Sequence, residues 1–140
     1  MMEGVNEPYD RYDSSKDFTS LESWKKCRTV KLFFYNNIIP LLPKEEKYNL
    51  NIQIRKASVS TTANIAEGYG RFYYKESIQF YRISRGSLFE LKDHIISCLD
   101  LKYIGKKLYD SGIDLIEEAK VTLNGFIKYT EKKVTNISKQ

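Results

Sequence analysis

Between Leu21 and Ile127 the apolar residues return every third or fourth position in four separate stretches, and none alternates with the two-residue period of a strand. Such spacing lines one side of a helix with apolar groups, so each stretch must bury that stripe against others like it. Leu21, Trp24, Cys27, Val30, Phe34 and Ile38 form the first stripe, while Lys25, Lys26, Arg28 and Lys31 fall largely elsewhere. Thr19 followed by Glu22 has the form of a capping box, which sets the start, and Pro40 and Pro43 set the end. A second helix is expected over 48–69, with Leu50, Ile54, Ala57, Thr61, Ile65 and Gly68 on one side. From Ala57 to Gly70 nearly every residue is small, which admits a close neighbour but lowers intrinsic helicity. Gly68 and Gly70 then predict a left-handed cap and a turn. The third helix, over 75–101, keeps Phe80, Ser84, Ser87, Leu88, Leu91, Ile95 and Cys98 in step. Gly86 inside it costs about 1 kcal/mol against alanine, so it reads as a tight helix contact that leucine would overfill. The fourth, over 110–132, carries Ile113, Ile116, Ala119, Leu123 and Ile127, with Asp114, Glu117 and Glu118 early and Lys128, Lys132 and Lys133 late, a polarity that suits the helix dipole. Four such helices with short connections predict an all-α fold, an antiparallel up-down four-helix bundle.

At 140 residues and 41% hydrophobic content, one domain with one core is expected, spanning 18–133. Residues 1–17 read as a flexible acidic tail and 134–140 as a frayed end. The first seventeen residues hold no apolar run of a secretory signal, and no stretch is long enough to cross a membrane, so a cytoplasmic protein is expected. Cys27 and Cys98 stand far apart among apolar neighbours, as a reduced buried pair would. His94 is the only histidine, which excludes His/Cys zinc clusters and most nucleophile-histidine arrangements. Glu45 with Glu46, and Glu117 with Glu118, are adjacent and diverge around a helix, so they make poor acid-base or metal pairs. Glu67-Gly68-Tyr69-Gly70 follows a helix and not a strand, unlike a nucleotide loop. No catalytic residue, metal or cofactor is expected, and the chain reads as a non-enzyme.

Charge gives the positive clue. Residues 1–17 hold two basic and five acidic groups, leaving 21 Lys/Arg against 13 Asp/Glu from residue 18 onward, a body charge of +8. That bias suits a polyanion or an acidic partner, although a solvated surface also accounts for it. The candidate phosphate contacts are Lys25, Lys26, Arg28, Lys31, Arg55, Lys56, Arg71, Arg82 and Arg85, with Lys106 and Lys107 beside them. Asn64, Glu67 and Arg71 share roughly one face near the end of the second helix. They read either as a binding site, Arg55 and Arg71 meeting phosphate, or as a packing device in which Asn64 and Glu67 hydrogen-bond across to Ser87 or Glu90; the latter weighs more, because a carboxylate repels phosphate. Tyr69, Phe72, Tyr73 and Tyr74 bunch beside Arg71 and Lys75, a composition suited to stacking unpaired bases or to a protein interface.

Asn64-Ile65-Ala66-Glu67-Gly68-Tyr69-Gly70-Arg71, preceded by Gln53-Ile54-Arg55-Lys56-Ala57, resembles the bacterial four-helix-bundle family of ribosomal RNA intervening-sequence proteins. The likeness extends from Phe18, Leu21 and Trp24-Lys25 through Pro43-Lys44-Glu45-Glu46 to Arg85-Gly86-Ser87, Glu90-Leu91, Tyr103-Ile104 and Leu123-Asn124-Gly125-Phe126-Ile127. It implies a bundle that assembles into a ring, typically a homopentamer. By the packing reading above, Asn64, Glu67, Gly68, Gly70, Gly86, Ser87 and Glu90 are expected to be structural, and the implied ring assembly favours Tyr69, Phe72, Tyr73 and Tyr74 as an oligomer interface. It further implies that the ring binds RNA or another nucleic acid, or alternatively serves as a scaffold docking a partner such as a reverse transcriptase of a diversity-generating retroelement or another ribonucleoprotein. Thr61 and Thr62 stand where the family usually carries an apolar residue and a proline, Asn49 replaces a common glycine, and Pro40 accompanies a lengthened first turn, so a less kinked second helix is expected.

Overall fold

The computed structural model describes residues 17–138. Four helices carry the chain: α1 (Glu22–Phe33), α2 (Leu50–Tyr69), α3 (Tyr74–Asp100) and α4 (Lys106–Ser138). Each consecutive pair packs together and α4 closes against α1, with the α2–α3 pair the most intimate. The result is an antiparallel four-helix bundle without strands among the described residues, as the periodicity requires. The stripes meet at its centre: Cys27, Val30, Phe34 and Ile38 face Ile54 and Ile65, and Tyr81, Leu88, Leu91, Ile95 and Cys98 face Ile116, Ala119, Leu123 and Ile127, all buried. Burying each large aliphatic side chain contributes about 1.5–3 kcal/mol. Together they outweigh the weak propensity of the serine- and threonine-rich α2. The expected tail, 1–17, lies outside the described residues except for Asp17.

Several helix ends depart from the sequence reading. Thr19 does not cap α1: Asp17 caps a 3-10 turn, Phe18–Ser20, by accepting the Thr19 amide (2.9 Å) and hydroxyl, and Glu22 is the first residue of α1 and not its third. After Phe33 the helix widens into a π turn, Phe34–Ile38, in which the Ile39 amide reaches back to the Phe34 carbonyl. Pro40 explains it, since its ring cannot share space with the carbonyl four residues earlier in a regular α-helix. Gly70 is not left-handed but sits at φ −80°. The left-handed cap instead ends α3 at Lys102 (φ 63°), where the Tyr103 amide reaches the Cys98 carbonyl (2.9 Å) and the Lys102 amide that of Leu99 (3.0 Å). At the other end of the chain, α4 continues through Ser138, beyond the expected end of the fourth helix at Lys132; Val134 is half-buried and the Thr135 hydroxyl donates to the Glu131 carbonyl. This helix also opens on Lys106 and Lys107, placing cations at its positive end, and Asp110 one turn later accepts from Lys106 (2.8 Å).

The two loops at the far end of the bundle are tied by one side-chain pair. The Tyr103 hydroxyl donates to Glu46 (2.7 Å), whose other oxygen accepts from the Leu50 amide and the Asn49 side chain. The Tyr103 bond, more than these two, holds the Glu46 carboxyl below its usual range, and it pushes the Tyr103 hydroxyl up to about 12. A carboxyl with a lowered native pKa contributes stability that is present above its unfolded pKa and lost as pH falls through the native one. Tyr103→Phe should therefore lower the melting temperature at neutral pH, with the gap to wild type narrowing as the solution is acidified; a constant gap across the acid range would exclude this bond as the cause.

Candidate nucleic-acid interface

Among the four helices, α1 has the largest cationic excess, carrying Lys25, Lys26, Arg28 and Lys31 against Glu22 alone. The bundle sorts these cations by direction. Lys26 turns toward α4 and pairs with Glu118, while Lys25 folds back on Glu22 at 3.4 Å. Arg28 and Lys31 lie on the opposite edge, in one stripe with Trp24 and Tyr35. The Arg28 guanidinium stands 6.0 Å from the Trp24 ring centre, and the Lys31 ammonium crosses to α2 to donate to Thr62 (3.2 Å). On the facing edge of α2, Arg55 lies 5.1 Å above the Tyr35 ring and donates to Asn51 (2.6 Å), with exposed Lys56 next to it. Tyr35, Arg55, Lys56, Val59 and Ser60 wall an open hollow of about 420 Å³. The α1–α2 seam thus intersperses two rings with cations along its length: Trp24, Arg28, Lys31, Tyr35, Arg55.

The remaining candidates are elsewhere. Arg82 meets Glu131 (2.9 Å) and Arg85 meets Asn124 (3.0 Å), both on the α3–α4 seam. Arg71, in the α2–α3 turn, pairs with Glu67 (3.0 Å) over the Phe80 ring at 4.6 Å. The nine cations therefore do not form one site. A carboxylate already partners Arg71, Arg82, Lys25 and Lys26, whereas Arg28, Lys31, Arg55, Lys56 and, on the α3–α4 seam, Arg85 have none among the described residues. Lys107 is exposed at the far end beside the Lys106–Asp110 pair.

The sequence matches the model of the 23S rRNA-intervening sequence protein family over residues 19–125. The chain belongs to that family. No curated protein matches it. The matched range holds α1, α2, α3 and α4 as far as Gly125, and so contains the whole α1–α2 seam; it leaves out the acidic N-terminal segment and the lysines at the end of α4.

Inside the range, the Asn64 motif joins α2 to α3, but through a residue that the sequence reading did not single out. The Asn64 amide donates to the carbonyl (3.0 Å) and hydroxyl (2.8 Å) of Ser60, and that hydroxyl lies 2.7 Å from the Ser87 hydroxyl. Ser60 was hidden as one more small residue in a small-residue stripe. Glu67 turns to Arg71 and Glu90 to His94 (3.0 Å), so neither makes the expected crossing. Beneath them the Ser84 hydroxyl donates to the Thr61 carbonyl (2.6 Å), and the Thr61 hydroxyl to that of Ser58 (2.8 Å). Gly68 is the true contact glycine, because a methyl there would lie 2.7 Å from the Tyr81 ring and 2.9 Å from the Ser77 carbonyl. Gly86, in contrast, is exposed with nothing within 4 Å, so the expected tight contact is absent from this chain's own packing. The aromatic bunch splits as well. Phe72 and Tyr73 are exposed, edge to face at 4.8 Å, whereas Tyr74 is buried and Tyr69 half-buried, both lining a small hollow with Tyr81 and Phe126. Burial pushes the Cys27 thiol up to about 12 and the Cys98 thiol to about 11, so both stay protonated. Among the described residues no three His, Cys, Asp or Glu side chains gather as a metal site, and no helix is long and apolar enough to cross a membrane.

Proposed function

We propose that this chain is a non-catalytic, nucleic-acid-binding bundle protein whose contact surface is the α1–α2 seam, with single-stranded RNA its preferred ligand. The observation that carries the proposal is the clustering there of two rings with four cations that no carboxylate among the described residues neutralises. Phosphates demand the cations, and the half-buried rings of Trp24 and Tyr35 beside them suit unpaired bases, which have no partner strand to stack within. The family's name, which refers to ribosomal RNA, supports RNA over DNA.

Filter binding to a uridine-rich single strand provides the test. The triple variant Arg28→Ala/Arg55→Ala/Lys56→Ala should bind at least about tenfold more weakly at low salt, with its log-log salt slope shallower by about 2, since each lost phosphate contact removes about 0.7. Arg82→Ala/Arg85→Ala should change affinity by less than about twofold. Equal losses from the two variants, or wild-type retention indifferent to salt, would overturn the assignment of the seam.

A second reading, compatible with the first, is self-assembly, favoured by two separate apolar patches. Ala63 on α2 and Ile83 (51% exposed) on α3 are exposed, as are Val121 (71%) on α4 and Phe89 (51%) on α3, the last with the Lys120 ammonium over its ring. Two unlike patches on one chain suit a head-to-tail contact, which gives a ring when its rotation closes, better than a two-fold dimer. In native mass measurement the wild type should be a multimer and Ile83→Lys a monomer of unchanged helicity. A monomeric wild type at micromolar concentration would rule the ring out.

A further inference from the structure

We propose that the hollow where all four helices converge binds one six-membered aromatic ring that carries a hydrogen-bond donor. It lies at the end of the bundle that holds the α2–α3 turn, and none of the seam residues named above lines it. Its wall follows from sequence spacing. Phe126, Tyr129 and Thr130 share one face of α4, and Tyr74 and Tyr81 stand two turns apart on one face of α3. Tyr69 ends α2, so the short turn 70–73 returns the chain beside it at Tyr74, and Leu21 precedes α1 on the same side of the bundle. These side chains surround about 140 Å³.

Size and lining select the occupant. An apolar cavity of about 150 Å³ holds one benzene, so a single ring fits here and a fused pair of rings does not. Tyr74, Tyr81 and Thr130 are buried and form the floor, while Tyr129, 55% exposed, stands at the mouth. Tyr81 tilts against Phe126 with ring centres 4.8 Å apart, and Phe126 lies near-parallel to Tyr129 at 6.3 Å. The wall thus already holds the ring pairings that a further aromatic ring extends. An organic cation, the other guest of aromatic walls, is disfavoured because the Lys133 ammonium already stands 5.2 Å over the Tyr129 ring and repels a second positive charge. Thr130 sets the need for a donor. Its hydroxyl gives its proton to the Phe126 carbonyl (2.9 Å), so toward an occupant it can only accept. A phenol hydroxyl supplies such a proton, and so does the ring N–H of an unpaired uracil. The second source rests on the nucleic-acid role proposed above, whereas the ring site itself does not.

Methyl NMR of the full 140-residue chain, read at Leu21 and Thr130, tests the site with free probes. Phenol should shift both methyl signals saturably, with a dissociation constant in roughly the millimolar range, and naphthol should not. Thr130→Val keeps the shape and removes the acceptor, so it should weaken phenol by roughly two- to tenfold and leave fluorobenzene unchanged. Tyr129→Ala, at an exposed position, should weaken both probes. Absence of a saturable phenol shift, or naphthol binding as well as phenol, would overturn the site. Equal effects of Thr130→Val on phenol and fluorobenzene would overturn the donor requirement. Uridine-rich and adenosine-rich single strands, added to the phenol complex, then separate the two sources. Displacement of phenol by the uridine-rich strand alone assigns the ring to a pyrimidine of the strand, and displacement by both strands alike would overturn the size selection. A strand retained without displacing phenol sustains the nucleic-acid role and assigns the hollow to a free aromatic compound. Phenol binding with no strand retained discards that role and leaves the ring site standing.

Discussion

Replacing Gly68 by alanine should lower the stability of the bundle by about 2 kcal/mol, while the same replacement at Gly86 should raise it by roughly 0.5–1 kcal/mol. The two glycines are both helical, so alanine improves the intrinsic propensity of each by about 1 kcal/mol. What separates them is the space outside the helix. At Gly68 the new methyl meets the Tyr81 ring at 2.7 Å, the Phe80 Cβ at 2.9 Å and the Ser77 carbonyl at 2.9 Å. The carbonyl belongs to the backbone of α3, and Tyr81 is itself buried, so neither can step aside without shifting the helix. An overpacking cost of about 3 kcal/mol, the upper end for one added carbon, then exceeds the propensity gain. At Gly86 the methyl meets nothing and only the gain remains. Urea midpoints at one fixed protein concentration, with the slope unchanged, measure both. A Gly68→Ala midpoint equal to wild type would mean that α2 and α3 stand further apart than the Tyr81 contact requires.

That pair also shows where sequence reading stops. Periodicity placed all four helices, because a stripe at every third or fourth residue has one physical explanation in a chain that must bury it. It could not say which way a glycine faces: Gly68 and Gly86 are equally plausible contact points until the register of α2 on α3 is known. Register was likewise the missing quantity for the site. Stripe arithmetic puts Trp24, Arg28, Lys31 and Tyr35 on one edge of α1, yet only the packed bundle shows Arg55 arriving over Tyr35 and Lys31 reaching Thr62. The carboxylates that remove Lys26 and Arg82 from contention, Glu118 and Glu131, are 92 and 49 residues away in sequence. Local capping was misread for a different reason. Asp17 and Thr19 are both good capping residues, and the choice between them depends on the 3-10 turn that Phe18 forms by packing on Trp24. Cys27 and Cys98 were legible as buried because each falls on the apolar stripe of its own helix, which can be read without knowledge of register.

The largest loss is expected where three helices share one contact. Ile95 of α3 is fully buried, its Cδ1 directly over Gly112 of α4, with the end of the Phe33 ring from α1 against the same spot. Ile95→Ala leaves a cavity at this crossing and should cost about 2–5 kcal/mol. Gly112→Ala should cost about 1–3 kcal/mol, because its methyl would overlap Ile95 and lie 2.8 Å from the Phe33 ring. Combined, the two losses should fall short of their sum by about 1–2 kcal/mol. The alanine methyl enters the space that Ile95 vacated, and Phe33, half-exposed at its outer edge, can swing away from it. Such coupling arises only if both residues press on the same small volume, so strict additivity in the double-mutant cycle would separate them and remove Gly112 as the reason α4 can lie so close to α3. The same closeness sets the position of Glu117 and Asn124 against Lys92 and Arg85. Loosening this crossing should therefore weaken the pairs along the α3–α4 seam while leaving the Lys31–Thr62 and Arg55–Tyr35 contacts of the opposite seam intact, a difference that hydrogen exchange measured helix by helix would resolve.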